Sequence, residues 1–105
     1  MVPSRGVVHG WGVTTLHIEH PITGYEQWRA AFDRATQLRT AGGVVAQRVS
    51  QPIDDDRYIV VQLDFDDAEG AETFLNLLRT QIWADPARAP GLDGTPRTII
   101  LQSAA

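Results

Sequence analysis

The chain has 105 residues, of which 43% are hydrophobic and 21% are charged, and its formal net charge at pH 7 is −4. This length and this balance are typical of one small globular domain. The chain contains no cysteine, and all nine of its basic residues are arginines, which excludes disulfides, zinc–thiolate sites and lysine Schiff bases.

The distribution of charged and apolar residues excludes two classes of partner. Nucleic-acid binding needs a dense basic surface, whereas this chain is acidic and its arginines are scattered. No apolar run approaches the length of a membrane span, and residues 1–10 lack the apolar core of a secretory signal. We therefore expect a cytoplasmic protein that binds neither nucleic acid nor membranes.

The N-terminal part of the chain predicts a lead-in segment and a strand. Residues 1–12 contain three glycines and a proline without periodicity, so we expect a loose lead-in before a single domain over residues 13–105. Apolar and polar side chains alternate from Val13 to His20, as in a strand with one buried face, and Pro21 ends this strand.

The next segment predicts a helix. Thr23 and Glu26 have the spacing of a capping box, in which each side chain satisfies a free backbone N–H group. A stripe of apolar residues at helical spacing then runs from Tyr25 to Leu38. Gly42 and Gly43 predict a left-handed end to this helix.

The second half predicts three strands and one helix. In chain order these are a strand over 44–51, a turn over 52–56, a strand over 57–65, a helix from Asp66 to Ile82 and, after a loop over 85–97, a strand over 97–102. Asp66 with Glu69 three residues later predicts the N-cap of the second helix.

This β-α-β-β-α-β order predicts a ferredoxin-like α+β fold, with a four-stranded antiparallel sheet and both helices on one of its faces. The other face is then uncovered. It carries apolar residues, because strand 57–65 is apolar on both sides and three apolar residues run consecutively from Ile99 to Leu101. We therefore expect a homodimer in which two sheets pack against each other.

Two segments carry a family resemblance. His20 to Asp33 places a histidine at a strand end, followed by a tyrosine, a tryptophan and a phenylalanine on the first helix. Leu63 to Glu69, with Phe74 beyond it, forms an acidic turn into the second helix. Over about residues 13–102 the chain resembles the dimeric α+β barrel proteins that include the antibiotic-biosynthesis monooxygenases. The resemblance implies a dimeric α/β barrel.

The resemblance leaves several activities open, because such proteins include cofactor-free oxygenases, haem-degrading enzymes and lactone isomerases. For haem degradation it implies a histidine in the second half and an asparagine on the first strand. The chain has histidines only at positions 9, 17 and 20, and its single asparagine is Asn76. We therefore expect no cofactor.

The cluster of His17, Glu19 and His20 is the first candidate for chemistry. Residues three apart on a strand point to opposite faces, so we expect no metal between the two rings. Either histidine is a candidate general base, with Arg48 and Tyr25 holding the resulting anion. Alternatively, His20 satisfies backbone groups at the strand end and His17 lies at the dimer interface.

Five further residues are candidates for substrate binding: Tyr25, Trp28, Phe32, Asp64 and Trp83. The helical aromatic stripe suits a planar hydrophobic ligand, and core packing is its structural alternative. Trp83 follows the second helix, where it suits a pocket lid or a dimer contact. Asp64 orients a substrate, pairs with the arginine of the second strand or faces solvent.

With these candidate residues, the resemblance implies a monooxygenase-like or isomerase-like dimer that binds or converts a small aromatic or polyketide-like compound. In an oxygenase mechanism, a deprotonated substrate reacts with oxygen directly. The alternative is a non-catalytic dimeric module that binds a small ligand or serves a structural role.

Overall fold

The computed structural model describes residues 13–104, so the predicted lead-in over residues 1–12 lies outside the described residues. The elements are β1 Thr14–Pro21, α1 Tyr25–Arg34, α2 Thr36–Ala41, β2 Ala46–Ser50, β3 Tyr58–Phe65, α3 Ala68–Leu77, a π-helical turn Leu78–Ile82 and β4 Arg97–Gln102. Within the described part of the chain, no helix is long and apolar enough to cross a membrane.

The four strands form one sheet in the order β2-β3-β1-β4, and every neighbouring pair is antiparallel. Leu16 at the centre of β1 lies opposite Leu63 of β3 and Ile100 of β4. This is the ferredoxin-like α+β arrangement, so the fold class predicted from the order of the elements is confirmed.

The core lies between the sheet and the helices. Alternate residues of β1 and β3 are buried, as the alternation predicts. The core residues of the sheet are Leu16, Ile18, Ile59, Val61, Leu63 and Phe65, and those of the helices are Trp28, Ala71, Phe74 and Leu75. The opposite side of the sheet, called here the open face, carries the other residues of each strand.

The predicted first helix is interrupted at Ala35, which separates α1 from α2. Side chains from α2 occupy carbonyl groups at the end of α1: the Thr36 hydroxyl donates to the Asp33 carbonyl at 2.7 Å. The Arg39 guanidinium donates to the Phe32 carbonyl at 2.6 Å. The Phe32 carbonyl also accepts the Ala35 backbone N–H at 3.1 Å. The apolar stripe therefore spans two short helices.

The predicted helix ends differ in detail. The capping box is wrong, because Gly24 is the N-cap and the Thr23 hydroxyl donates instead to the Gln27 side chain at 2.9 Å. The second helix begins one residue later than predicted, since the Asp67 carboxylate accepts the Gly70 N–H at 2.8 Å.

The two glycines after α2 serve different purposes. The prediction that both supply a left-handed end is wrong for Gly42, because only Gly43 has a positive φ, of 95°. A Cβ at position 42 would collide with the ring of Phe74, so only a residue without a side chain allows α2 to pack this closely against α3.

Candidate functional site

A pocket opens between the helices and the covered face of the sheet. Its volume is about 110 Å³, counted as the space in which the centre of a water molecule can lie. Its walls are mainly apolar and include Ile18, Val61, Leu63, Phe74, Leu78 and Ile82. Within the described part of the chain, three titratable side chains line it: His20, Arg39 and Arg88. We call this space the helix–sheet pocket.

His20 lies near the end of β1, on the covered face, and only 4% of its surface is exposed. Its Nδ1 lies 2.8 Å from the Pro21 carbonyl oxygen, and because a carbonyl only accepts, Nδ1 carries the proton. In the neutral ring, Nε2 therefore has a free lone pair, and no residue among 13–104 forms a hydrogen bond with it. Burial lowers the pKa of His20, although its bond to Pro21 opposes this shift.

Arg39 was not among the residues singled out from the sequence, yet only 6% of its surface is exposed. Its Nε donates to Gln47 Oε1 at 2.9 Å, and its carbon Cζ lies 3.6 Å from the centre of the Phe32 ring. One signal could have identified it: Arg39 follows Phe32 by seven residues, or about two helical turns, so it continues the inner stripe.

Three of the predicted substrate-binding aromatic residues line the helix–sheet pocket: Trp28, Phe32 and Trp83. Trp28 and Phe32 are stacked with their ring centroids 4.9 Å apart. Tyr25 is not part of the pocket wall; it is 37% exposed, and its ring centroid lies 6.2 Å from that of Trp28. The aromatic stripe thus belongs to both the core and the pocket.

The structure places His17, Arg48 and Asp64 on the open face, away from the helix–sheet pocket. Arg48 donates from both terminal nitrogens to the Asp64 carboxylate at 3.1 Å, and Thr15 donates to the same carboxylate at 2.7 Å. This ion pair lowers the pKa of Asp64, through the Arg48 hydrogen bonds first. His17 and His20 therefore lie on opposite faces and do not approach one common ion.

The open-face network continues through Gln62. Arg48 Nε only donates, so Gln62 Oε1 accepts from it at 3.1 Å. The amide nitrogen of Gln62 then donates to His17 Nδ1 at 3.1 Å. Nε2 of His17 consequently carries the proton that it donates to Glu19 Oε2 at 2.8 Å.

Glu19 ends this network and accepts a second bond. The Tyr58 hydroxyl donates to Glu19 Oε1 at 2.7 Å. The hydrogen bond from His17, and then that from Tyr58, lowers the pKa of Glu19. The polar groups of the open face thus satisfy one another across β1, β2 and β3, in contrast to the groups that line the helix–sheet pocket.

No protein-family model and no curated protein sequence matches this chain. Solved structures match its fold. A protein of unknown function from Nitrosomonas europaea superposes with a TM-score of 0.67 at 19% identity, covering 92% of this chain and 94% of that one.

Two similar structures are of oxygenases. SnoaB, a cofactor-independent oxygenase from Streptomyces nogalater, superposes with a TM-score of 0.64 at 16% identity, covering 90% of this chain and 95% of that one. The monooxygenase from the gene ActVA-Orf6 of Streptomyces coelicolor, solved with the ligand nanaomycin D, gives 0.58 at 16% identity, covering 88% of each chain. The chain therefore has the fold of the antibiotic-biosynthesis-monooxygenase-like proteins, as the resemblance implied.

Proposed function

We propose that the helix–sheet pocket binds a small planar aromatic compound and that His20 is the general base of a monooxygenase-like or isomerase-like reaction. The observation that carries this proposal is the buried imidazole of His20, whose Nε2 has no partner among residues 13–104 and whose pKa is lowered by burial. His20 lines the helix–sheet pocket together with four aromatic side chains: Trp28, Phe32, Phe74 and Trp83. Two oxygenases with the same fold support it as an analogy.

The chemistry requires a substrate with an acidic C–H or O–H group. Nε2 of His20 accepts this proton, and the Pro21 carbonyl, which accepts the Nδ1 hydrogen bond, stabilises the imidazolium that forms. In the monooxygenase reaction the substrate carbanion adds to O2. One oxygen atom becomes a product carbonyl and the other leaves as water. In the isomerase reaction the proton returns to a different carbon atom.

Anthrone is a suitable first substrate, because its methylene group is acidic and its balanced oxidation is anthrone plus O2 to anthraquinone plus water. We expect enzyme-dependent O2 uptake and anthraquinone carrying one ¹⁸O atom from ¹⁸O2. His20→Gln keeps a polar side chain and removes the base, so its rate should fall by about a hundredfold or more. His17→Gln, on the open face, is the matched comparison.

The result decides between the two histidines and between the two classes of function. Retained turnover in His20→Gln, with loss in His17→Gln, would place the base on the open face and overturn the proposal. Binding of anthrone in the pocket without turnover, seen by NMR shifts of Trp28 and Trp83, would instead support the non-catalytic binding module.

We further propose that the open face packs against a second copy of the chain. On β4, Ile99 is 52% exposed and Leu101 is 41% exposed, next to the internally satisfied network of β1 and β3. An exposed apolar edge beside polar groups that hydrogen-bond to one another suits burial in an interface. The resemblance implies the same homodimer.

Native mass spectrometry tests the homodimer and reports any retained small molecule at the same time. We expect twice the mass of the chain for the unaltered protein and a shift to monomer for Leu101→Asp, which buries a charge in the interface. Val45→Asp, at an exposed position outside the named strands, is the control for added charge. A monomer at micromolar concentration for the unaltered protein would overturn the homodimer.

A further inference from the structure

Arg39 is a buried cation without an anionic partner among residues 13–104. Its three hydrogen bonds run to neutral oxygens: Gln47 Oε1, the Phe32 carbonyl at 2.6 Å and the Thr36 hydroxyl at 3.3 Å. No carboxylate of the described residues lies within 4.0 Å of it. By contrast, Arg48 on the open face has a bidentate carboxylate partner.

The hydrogen bonds of Arg39 leave part of its guanidinium unused. An arginine side chain has five N–H groups, and the three bonds above use one on each nitrogen. One N–H on each terminal nitrogen therefore has no acceptor among residues 13–104. The ring of Phe32 lies against the flat side of the group, with its centre 3.6 Å from Cζ, so an incoming acceptor must approach these N–H groups from the edge.

A buried arginine without a charged partner is unusual in a protein core. A buried guanidinium is normally paired with a carboxylate or phosphate, because desolvation is offset only by an opposite charge or strong hydrogen bonds. Burial lowers the pKa of Arg39, and the nearby charges of Asp33 and Arg29 shift this pKa up and down, respectively. Arg39 lines the same apolar pocket as His20, so an anionic occupant of that pocket would supply the counter-charge that no carboxylate of residues 13–104 supplies within 4.0 Å.

We infer that Arg39 is the anion-recognition group of the helix–sheet pocket and that its ligand is a planar aromatic compound bearing an anionic oxygen, as a carboxylate or a phenolate. This inference rests on the proposed function, because it concerns the ligand of the same pocket. Beyond the proposed function, it specifies that the ligand is an anion and that Arg39 recognises its charge. The two edge N–H groups suit a carboxylate through two oxygens and a phenolate through one.

Isothermal titration calorimetry with two probes of nearly equal shape tests the inference. 2-Naphthoate carries the anionic oxygen, and 2-naphthamide is its neutral counterpart. We expect the unaltered protein to bind 2-naphthoate about tenfold to a hundredfold more tightly than 2-naphthamide, as for a hydrogen bond to a charged group. Arg39→Gln should abolish this preference, and Arg39→Lys should keep part of it.

Two other arginines provide matched variants. Arg34→Gln removes the same charge from the exposed end of α1, outside the pocket wall, and should keep the preference. Arg88 lines the pocket but is exposed to solvent. If Arg88→Gln loses the preference while Arg39→Gln keeps it, the inference is overturned. If Arg39→Gln does not fold, a preference that is reduced in Arg39→Lys and kept in Arg88→Gln still assigns the recognition of the anion to Arg39.

Recognition of a phenolate is tested with 4-nitrophenol, whose ionised form absorbs visible light. Bound to the unaltered protein, it should ionise at a lower pH than when bound to Arg39→Gln. Equal binding of 2-naphthoate and 2-naphthamide, with no change in 4-nitrophenol ionisation, would overturn the inference and leave the proposed function standing. If 2-naphthoate, 2-naphthamide and 4-nitrophenol all fail to bind, both are overturned.

Discussion

His17 and His20, three residues apart on β1, carry their imidazole protons on opposite nitrogens. His17 donates from Nε2 to Glu19 and accepts from Gln62 at Nδ1, whereas His20 donates from Nδ1 to the Pro21 carbonyl. The difference follows from the alternation of the strand, which puts one ring in a polar network and the other beside an apolar pocket.

This relationship predicts two distinct tautomers in solution. In long-range ¹H–¹⁵N NMR spectra at pH 7.5, the neutral ring of His17 should show the Nε2–H form and that of His20 the Nδ1–H form. His17→Gln and His20→Gln assign the signals. An Nε2–H form for His20 would mean that its Nδ1 does not donate to Pro21, and the free lone pair would then be on the wrong nitrogen.

The buried His20 should make the protein less stable as the pH falls. Burial lowers the pKa of His20 in the folded state below its ordinary value of 6.5. At a pH between the lowered and the ordinary value, the imidazole is therefore protonated in the unfolded state but not in the folded state. The free energy of unfolding should decrease as the pH falls below about 6.5, and more steeply than in His20→Gln. Urea unfolding at several pH values between 8 and 5 measures this.

His9 and His17 are present in both proteins of this comparison, so the difference between the two pH profiles isolates His20. Parallel profiles would show that the imidazole of His20 is as accessible to protons in the folded state as in the unfolded state. That result would contradict its burial.

Glu19, a carboxylate of the open face, should affect the free energy of unfolding at a lower pH than His20 does. The bonds from His17 and Tyr58 lower the pKa of Glu19 below its ordinary value of 4.5, so its stabilisation is present above that pH and is lost as the pH falls through the lowered value. Glu19→Gln should reduce the free energy of unfolding by about 1 kcal/mol at pH 7. The difference from the unaltered protein should shrink towards pH 3.

Glu26→Gln removes the same charge from the exposed first turn of α1 and controls for overall charge. A pH-independent difference between Glu19→Gln and the unaltered protein would argue that the effect comes from shape and not from the charge of Glu19. Urea unfolding of the three proteins at pH 7, 5 and 3 provides the comparison.

Gly91 fixes the loop before β4 against α1. Its φ is +90°, its carbonyl accepts the Thr23 N–H at 2.9 Å, and a Cβ on it would lie 3.2 Å from the Trp28 backbone nitrogen. Gly94 has a similar φ, of +76°, but an added Cβ meets no atom within 4 Å. Gly94→Ala should therefore cost about 1 kcal/mol for the backbone alone, and Gly91→Ala about 2 kcal/mol or more.

Thermal or urea unfolding of both variants separates the two contributions, because Gly94→Ala is the matched control for the backbone. An equal decrease in the free energy of unfolding for the two variants would show that the loop can move away from Trp28 without losing stability. In that case this wall of the helix–sheet pocket is less rigid than the contact distances indicate.

Local patterns predicted most of the fold. Alternation separated Leu16 and Ile18 from His17 on β1, and the bounds of β4 match the prediction. Helix ends were less well predicted, because they depend on individual hydrogen bonds. The Asp67 carboxylate, and not that of Asp66, accepts the Gly70 N–H.

The sequence by itself determined the order of the elements, the two faces of each long strand and the aromatic stripe, since these follow from periods of 2 and 3.6 residues. It did not determine which histidine lies beside a pocket or which arginine is buried. His20 lies beside the pocket because the helices cover its face of the sheet, and Arg39 of α2 is buried over the ring of Phe32. Burial and charge pairing depend on residues distant in the chain, and only their packing in three dimensions brings those residues together.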